Sequence, residues 1–292
     1  MACPAWDLGK ILSAAKEFGY DGVELRGLGG ELNLPLSPEL ASDPAETRRR
    51  FQEAGVELVS LGSSATLTSR QPRELGKAKS EVVEYLELAV KLGCPSVRIM
   101  AGESPSGENR EATLVRIGQA LTDLSGVISR LGVRLLIENG GDFQSSSDLW
   151  FLSDFAGHPL IRCCWNQCHA MALHERKTNS LPRLGSRLGL VHICDGRFDN
   201  DGVLQGYCPL GEGDIDVARQ IEILKGLVYD EYLVFEWPRI WVESLAGPET
   251  TLPAAAKFMR NCIESKQPIL SAYKGDKNAP KLAAKRRIPA AG

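Results

Sequence analysis

Residues 133–166 read VRLLIENGGDFQSSSDLWFLSDFAGHPLIRCCWN, and the pattern of this stretch decides the fold class. Val133–Glu138 (VRLLIE) is a short apolar run that ends in a carboxylate, and Ile161–Asn166 (IRCCWN) is a second one that ends in an amide. Short apolar runs of this kind read as strands buried on both faces. Between them Ser145–Ser147 lead into a longer run around Asp148, where a hydroxyl cap and an acidic first turn mark the start of a helix. Strand, helix and strand in this order form a βαβ unit, with parallel strands and a right-handed crossover.

The alternation continues in both directions. Further strands are expected at Gly22–Arg26, Val56–Leu61, Ser96–Met100, Leu190–Cys194 and Tyr232–Glu236. Apolar spacings of three and four predict helices at Leu8–Phe18, Pro44–Ala54, Glu74–Leu92, Glu111–Leu131, Asp214–Leu227 and Thr251–Ile263, with Asp214 heading its run. Seven strands are counted. The first of eight is missing or reduced to Met1–Pro4, so either a fragment closes the sheet or the true start lies upstream.

Two features favour a closed barrel over an open doubly wound sheet. The glycines of RGLGG (26–30) lead into leucines and a proline instead of a helix, so no dinucleotide fingerprint follows the first strand. Polar side chains also end most strands: Glu24 with Arg26, Glu138, Asn166, His192 and Glu236. Only closure brings such ends to one rim, where barrels assemble their chemistry. The expected fold is therefore α/β, a (β/α)₈ TIM barrel over residues 1–264 with a truncated or missing first strand. An extended basic C-terminal tail, 265–292, follows it.

Composition narrows the function classes. Of 292 residues, 43% are hydrophobic and 24% charged, as expected of a chain that buries a substantial core. The residues from Ser265 onward hold seven of the 34 basic side chains and one of the 37 acids, so a body of net −9 carries a tail of +6. Such a tail docks on its own acidic body or on a sister subunit more readily than on nucleic acid, and a homo-oligomer formed through it is one expectation. No apolar run reaches the roughly 20 residues of a membrane span. The eight cysteines show no CxxC pair, so reduced thiols in a cytoplasm are expected. Cys163, Cys164, Cys168 and His169 fit no ordinary structural-zinc spacing, and adjacent strand residues face opposite ways, which leaves packing as their expected role.

Carboxylates that end core strands must be solvated, paired or bound to a cation. A lone glutamate of this kind pairs with an arginine as often as not, and a lone histidine is usually a hydrogen-bonded core residue. Glu138, Asn166, His192 and Glu236 together form a mixed oxygen and nitrogen set suited to a divalent metal ion: Mn²⁺ first, with Mg²⁺, Co²⁺ or Zn²⁺ as alternatives. With no thiolate among them, a structural zinc is not expected.

These motifs carry a family resemblance. GYDGVELR (19–26), LLIENGGDF (135–143), CWNQCHA (164–170), VHICDG (191–196), PLGEGDID (209–216) and VFEWP (234–238) resemble, in order and spacing, the xylose isomerase-like TIM barrels. That superfamily holds sugar phosphate isomerases/epimerases and the family 2 AP endonucleases. The resemblance implies metal ligation by Glu138, Asn166, His192 and Glu236, with Glu138 and Glu236 also catalytic. It implies substrate contacts from His169 and Arg197, and Arg26 and Glu24 are expected to join them. The implied reaction is isomerisation or epimerisation of a small carbohydrate, a ketose or keto-sugar, by proton abstraction beside a carbonyl through a metal-bound enediolate. Alternatives are a keto-sugar lyase or dehydratase working by β-elimination, and a non-catalytic sugar-binding barrel. The endonuclease branch needs a histidine-rich trinuclear zinc site, which His158, His169, His174 and His192 are too few to build.

Two departures stand out. Asn166 replaces the aspartate of the pattern, and Gly140 stands where many relatives carry a histidine. The GEGD stretch (211–214) precedes a helix, but its acids count against phosphate binding. Strand alternation points Trp165 and Trp237 away from the barrel axis.

Overall fold

The computed structural model describes residues 1–265. Seven parallel strands form one sheet that curls almost into a barrel: β1 (Gly22–Leu25), β2 (Glu57–Gly62), β3 (Ser96–Met100), β4 (Arg134–Glu138), β5 (Ile161–Asn166), β6 (Leu188–Ile193) and, after a hairpin of β7 (Gly196–Phe198) and β8 (Leu204–Tyr207), β9 (Leu233–Phe235). The order is β1-β2-β3-β4-β5-β6-β9, each strand parallel to its neighbour. No strand precedes the first helix, so the first strand of the expected eight is absent from the described residues. The edges still come close: a side chain on Gly22 would reach within 3.3 Å of the Tyr232 ring. The basic tail and the subunit contacts expected of it lie beyond the described residues.

Helices alternate with the strands, the first of them ahead of β1: α1 (Leu8–Phe18), α2 (Pro38–Ala41), α3 (Pro44–Ala54), α4 (Pro72–Leu92), α5 (Arg110–Leu131), α6 (Ser146–Ala156), α7 (Lys177–Leu184), α8 (Val217–Gly226) and α9 (Pro248–Glu264). α6 shows why the local sequence obeys. Ser145 accepts the Asp148 N–H while the Asp148 carboxylate accepts the Ser145 N–H, a reciprocal cap worth about 1 kcal/mol. No helix among the described residues is long and apolar enough to cross a membrane.

Two apolar layers hold the fold. The larger lies between sheet and helices and includes Trp165, fully buried as its alternation predicts; Trp237 is buried there as well. The smaller fills the barrel with Val59, Leu136, Cys164 and Leu190, against which Tyr232 and Val234 pack. One step further along β4, β5, β6 and β9 this filling ends, and Glu138, Asn166, His192 and Glu236 begin; Arg98, level with Leu136, lies just beneath them.

The structure corrects two expectations. Cys168 and Cys194 are not free thiols but form a disulfide, with Cα atoms 6.7 Å apart. They lie two residues past Asn166 and His192, and those two are register partners on adjacent strands, so the pair meets although 26 residues separate it. α8 also starts later than expected. Asp216 is its cap, accepting the Arg219 N–H at 3.0 Å, while Asp214 turns back to accept the Phe198 N–H at 2.7 Å. The hairpin β7–β8 and the short helix α7 have no counterpart in the sequence reading: strands of three and four residues carry too little periodicity to register, and α7 spans only eight residues with Pro182 inside it.

Candidate active site

At the C-terminal rim of the strands two carboxylates and two cations close a ring. Arg98 on β3 donates through Nε to Glu24 Oε1 at 2.6 Å and through Nη1 to Glu138 Oε2 at 2.8 Å. His192 on β6 completes it, with Nε2 2.7 Å from Glu24 Oε2 and Nδ1 2.9 Å from Glu138 Oε1. All four side chains are almost wholly buried. Both imidazole nitrogens face carboxylates, an arrangement that needs the doubly protonated ring. Burial opposes that charge, but Cys164, Glu138 and Glu24 outweigh it and hold His192 protonated well above the ordinary histidine range. Burial likewise disfavours ionised Glu24 and is overcome by Arg98 and His192, which bring its carboxyl down to about 2. Glu138 is held lower still, His192 and Arg98 again overriding burial.

Asn166 links this ring to Glu236. Its Nδ2 donates to Glu138 Oε1 at 3.1 Å and to Glu236 Oε2 at 2.7 Å. The amide orientation is not arbitrary. The backbone N–H of Cys168 donates to Oδ1 at 3.0 Å, so the oxygen faces the loop and the nitrogen faces the carboxylates. Asn139 pins the same strand end, accepting the Asn166 N–H at 2.8 Å and donating to its carbonyl at 2.9 Å. His169 sits beside them with Nδ1 2.6 Å from the Asn139 carbonyl. A carbonyl only accepts, so Nδ1 carries a proton, and Nε2 is the ring nitrogen not engaged by this contact.

The sequence-predicted residues distribute unevenly. Glu24, Glu138, Asn166, His192 and Glu236 come together, and His169 Nδ1 lies 3.9 Å from Glu138. Arg26 stands at the rim, donating to Ser64 Oγ and to the Leu32 carbonyl. Arg197, on β7, is exposed and stands outside the buried cluster. A side chain at Gly140 would collide with the Met100 methyl, 2.4 Å away, and meet His169 Nδ1 at 3.4 Å, so those two occupy the space a histidine there would need. Beside Glu24, Arg26, His192 and Glu236 a cavity of about 150 Å³ opens between β1 and β9, with apolar walls from residues such as Trp6 and Phe235.

Two contributors escaped the sequence reading, and a third, Cys164, was read there as packing only. Arg98 and Cys164 each sit within an apolar strand, on the face that alternation shares with the strand-end residue; a basic side chain amid SVRIM is the signal for the first. Asp195 is the other that escaped. Its buried carboxylate accepts the N–H groups of Gly211, Gly213 and Ile215 at 2.9–3.1 Å, as well as that of Gly196 at 2.8 Å. The GEGD stretch thus wraps a carboxylate of its own chain, which occupies the place a phosphate would need. A Cβ on Gly213 would lie 2.2 Å from Asp195 Oδ1, so only glycine fits there.

The donor chemistry fits a divalent cation in part. Glu138 and His192 meet directly, and Asn166 Nδ2 links Glu236 to them; two carboxylates and an imidazole are a set used by catalytic metal sites that keep a position open. Asn166 does not present its oxygen there. To do so its amide must turn over, leaving the Cys168 N–H facing an NH₂ group.

A nearly closed parallel barrel with ionisable groups gathered where its strands end defines an enzyme-like (β/α)₈ scaffold. Residues 12–262 match the family model of the xylose isomerase-like TIM barrels, and the chain belongs to that family. Solved structures agree in fold. An IolI protein with a bound zinc atom is 17% identical, with a TM-score of 0.78 over 90% of this chain and 95% of that one. D-psicose 3-epimerase with D-tagatose, from Clostridium cellulolyticum H10, is 16% identical, with a TM-score of 0.72 over 89% and 95%. The probable 3-DHS dehydratase AsbF from Bacillus anthracis is 15% identical, with a TM-score of 0.71 over 88% and 94%. No curated protein matches the sequence.

Proposed function

We propose that the chain is a sugar isomerase/epimerase-type enzyme, which moves a proton beside the carbonyl of a ketose or keto-sugar and uses Glu236 to carry it. The observation behind this reading is the contrast among the three carboxylates. Glu24 and Glu138 spend both oxygens on Arg98, His192 and Asn166. Glu236 is half-buried, lies at the cavity and is anchored only through Oε2 to Asn166 among the described residues. Such a carboxylate is positioned yet able to accept a proton.

The remaining residues then take supporting parts. Arg98 and Glu24 fix the orientation of Glu138 and His192. His169, with its proton held on Nδ1, offers Nε2 to a substrate hydroxyl, and Arg26 reaches the same rim. Glu138 and His192, with Glu236 beside them, would hold a divalent cation, which when bound supplies Lewis acidity to the substrate carbonyl. The sugar epimerase among the neighbours supports this reaction class, and the dehydratase keeps a β-elimination variant in play.

The test is incubation with a panel of ketoses and keto-glycosides, with and without added divalent metal, and product identification by NMR. Epimer or aldose formation supports the main reading, and an unsaturated product the elimination variant. Glu236→Gln should lower turnover by about 10²-fold or more with its melting temperature unchanged. Full turnover in that variant would overturn the assignment, and a sugar bound without conversion by any member of the panel would favour the non-catalytic barrel.

A further inference from the structure

We infer that Cys164 is a ligand at this site, and that the cation the site selects is zinc or a comparably thiophilic ion, ahead of manganese or magnesium. This rests on the reading that a divalent cation binds at the rim. The argument begins with the gap on β5. The family resemblance assigns that strand's ligand to residue 166, but the Cys168 N–H fixes the Asn166 amide with its nitrogen toward Glu138 and Glu236. Turning it over would create a donor–donor clash on one side and set an oxygen against two carboxylates on the other.

The same strand offers another donor on the same face. Cys164 lies two residues earlier, so alternation points it, like Asn166, into the barrel. It packs there with Val59, Leu136 and Leu190, and it is the register partner of Glu138. Its sulfur, a Glu138 carboxylate oxygen and a His192 ring nitrogen all lie within 4.8 Å of one another, and all three residues are buried. Tetrahedral coordination with bonds of about 2.0–2.3 Å sets ligand atoms roughly 3.3–3.8 Å apart. The three groups are thus gathered at the right scale before any cation enters. Glu236 stands above them on the cavity side, where an open coordination position is useful.

The surroundings agree. When one ring nitrogen of His192 ligates a cation, the other faces Glu24 at 2.7 Å, the carboxylate–histidine pairing that commonly orients a metal-bound imidazole. A thiolate in the set shifts preference from hard to soft ions. The thiol and the doubly protonated His192 ring, at the nitrogen that ligates, each give up a proton to solvent when the cation binds, as metal ligands must.

The experiment is titration of the full-length, metal-free protein with Co²⁺ alone, followed by absorption spectroscopy and by competition with Zn²⁺. An intense near-ultraviolet sulfur-to-cobalt charge-transfer band is expected. Cys164→Ser should abolish it and weaken Zn²⁺ binding at least tenfold, with Cys164→Ala as a second variant in case serine perturbs the barrel. The Cys168→Ser/Cys194→Ser double variant should keep the band. Cobalt bound without a charge-transfer band would overturn the Cys164 ligand while leaving the metal-dependent reading intact. A band lost in the double variant but kept in Cys164→Ser would overturn it too. Absence of Co²⁺ and Zn²⁺ binding would overturn both this inference and the metal part of the functional reading.

Discussion

Replacing Arg98 by methionine tests the buried ring most severely. Among the described residues the guanidinium is the one cation besides His192 that hydrogen-bonds to both Glu24 and Glu138, and methionine keeps the aliphatic stem without the charge. Removing one partner of a buried ion pair costs about 3–5 kcal/mol, because the remaining charge stays desolvated. Arg98 serves two carboxylates, so the expected loss lies at the upper end, about 5 kcal/mol near neutral pH. That is comparable to the whole stability of a marginal domain, roughly 5–15 kcal/mol. The loss should also depend on pH with a definite sign. In the wild type Arg98 and His192 overcome burial and hold Glu24 down to about 2. Without the guanidinium only His192 still opposes burial strongly, and the folded-state values rise above those of the wild type. The penalty is then present above those raised values and fades as pH falls and the carboxyls protonate. Urea unfolding of both proteins from pH 4.5 to 7.5 measures this directly. A loss below about 1 kcal/mol, or one that does not change with pH, would refute the reasoning.

Other expectations follow from the same contacts. Asp195→Asn puts an NH₂ group against backbone N–H donors that now point at a carboxylate; it should cost about 2–3 kcal/mol and speed amide exchange at residues 211–215, seen by hydrogen-exchange mass spectrometry. Glu231, at the opposite end of the barrel, is ion-paired to both Arg134 and Arg162; burial works against its charge, but the two arginines prevail and lower its pKa. Its contribution, about 1 kcal/mol after allowance for partial exposure, is therefore full above the ordinary glutamate value and lost as pH falls through the depressed one. Glu231→Gln should flatten that acid limb of the stability curve, and an unchanged limb would count against the pairing. Asn166→Asp adds a third carboxylate beside Glu138 and Glu236; the metal-free protein should melt lower, and added Mn²⁺ should restore more stability to it than to the wild type.

The fold was readable because parallel barrel strands are buried on both faces and the helices between them are amphipathic. Both periodicities survive in runs such as VRLLIE and Glu111–Leu131. Strand ends shifted by one or two residues, as at Leu188–Ile193, where the run begins before the apolar core of the pattern. The strand-end donors could be found because Glu138, Asn166, His192 and Glu236 each close an apolar stretch. What they do to one another could not. Spacing along the chain does not reveal that the Cys168 N–H turns the Asn166 amide, or that Asp195 collects N–H groups from a loop more than fifteen residues away. Arg98 was missed, and Cys164 read as packing, for a different reason. Attention to strand termini passes over an ionisable side chain one layer down, although period-two alternation places it on the same face. The Cys168–Cys194 bond needed the register of β5 against β6, which no spacing rule supplies.

The central claim is that the carboxylates and imidazole at this rim act on a C–H bond beside a carbonyl. Solvent-deuterium incorporation measures that step without knowledge of the final product. A keto-sugar incubated in D₂O with the wild-type protein should lose its α-proton NMR signal, and Glu236→Gln, equally folded, should leave that signal in place. Retention of the α-proton across all keto-sugars and divalent metals tried, or equal exchange by the two proteins, would contradict the account.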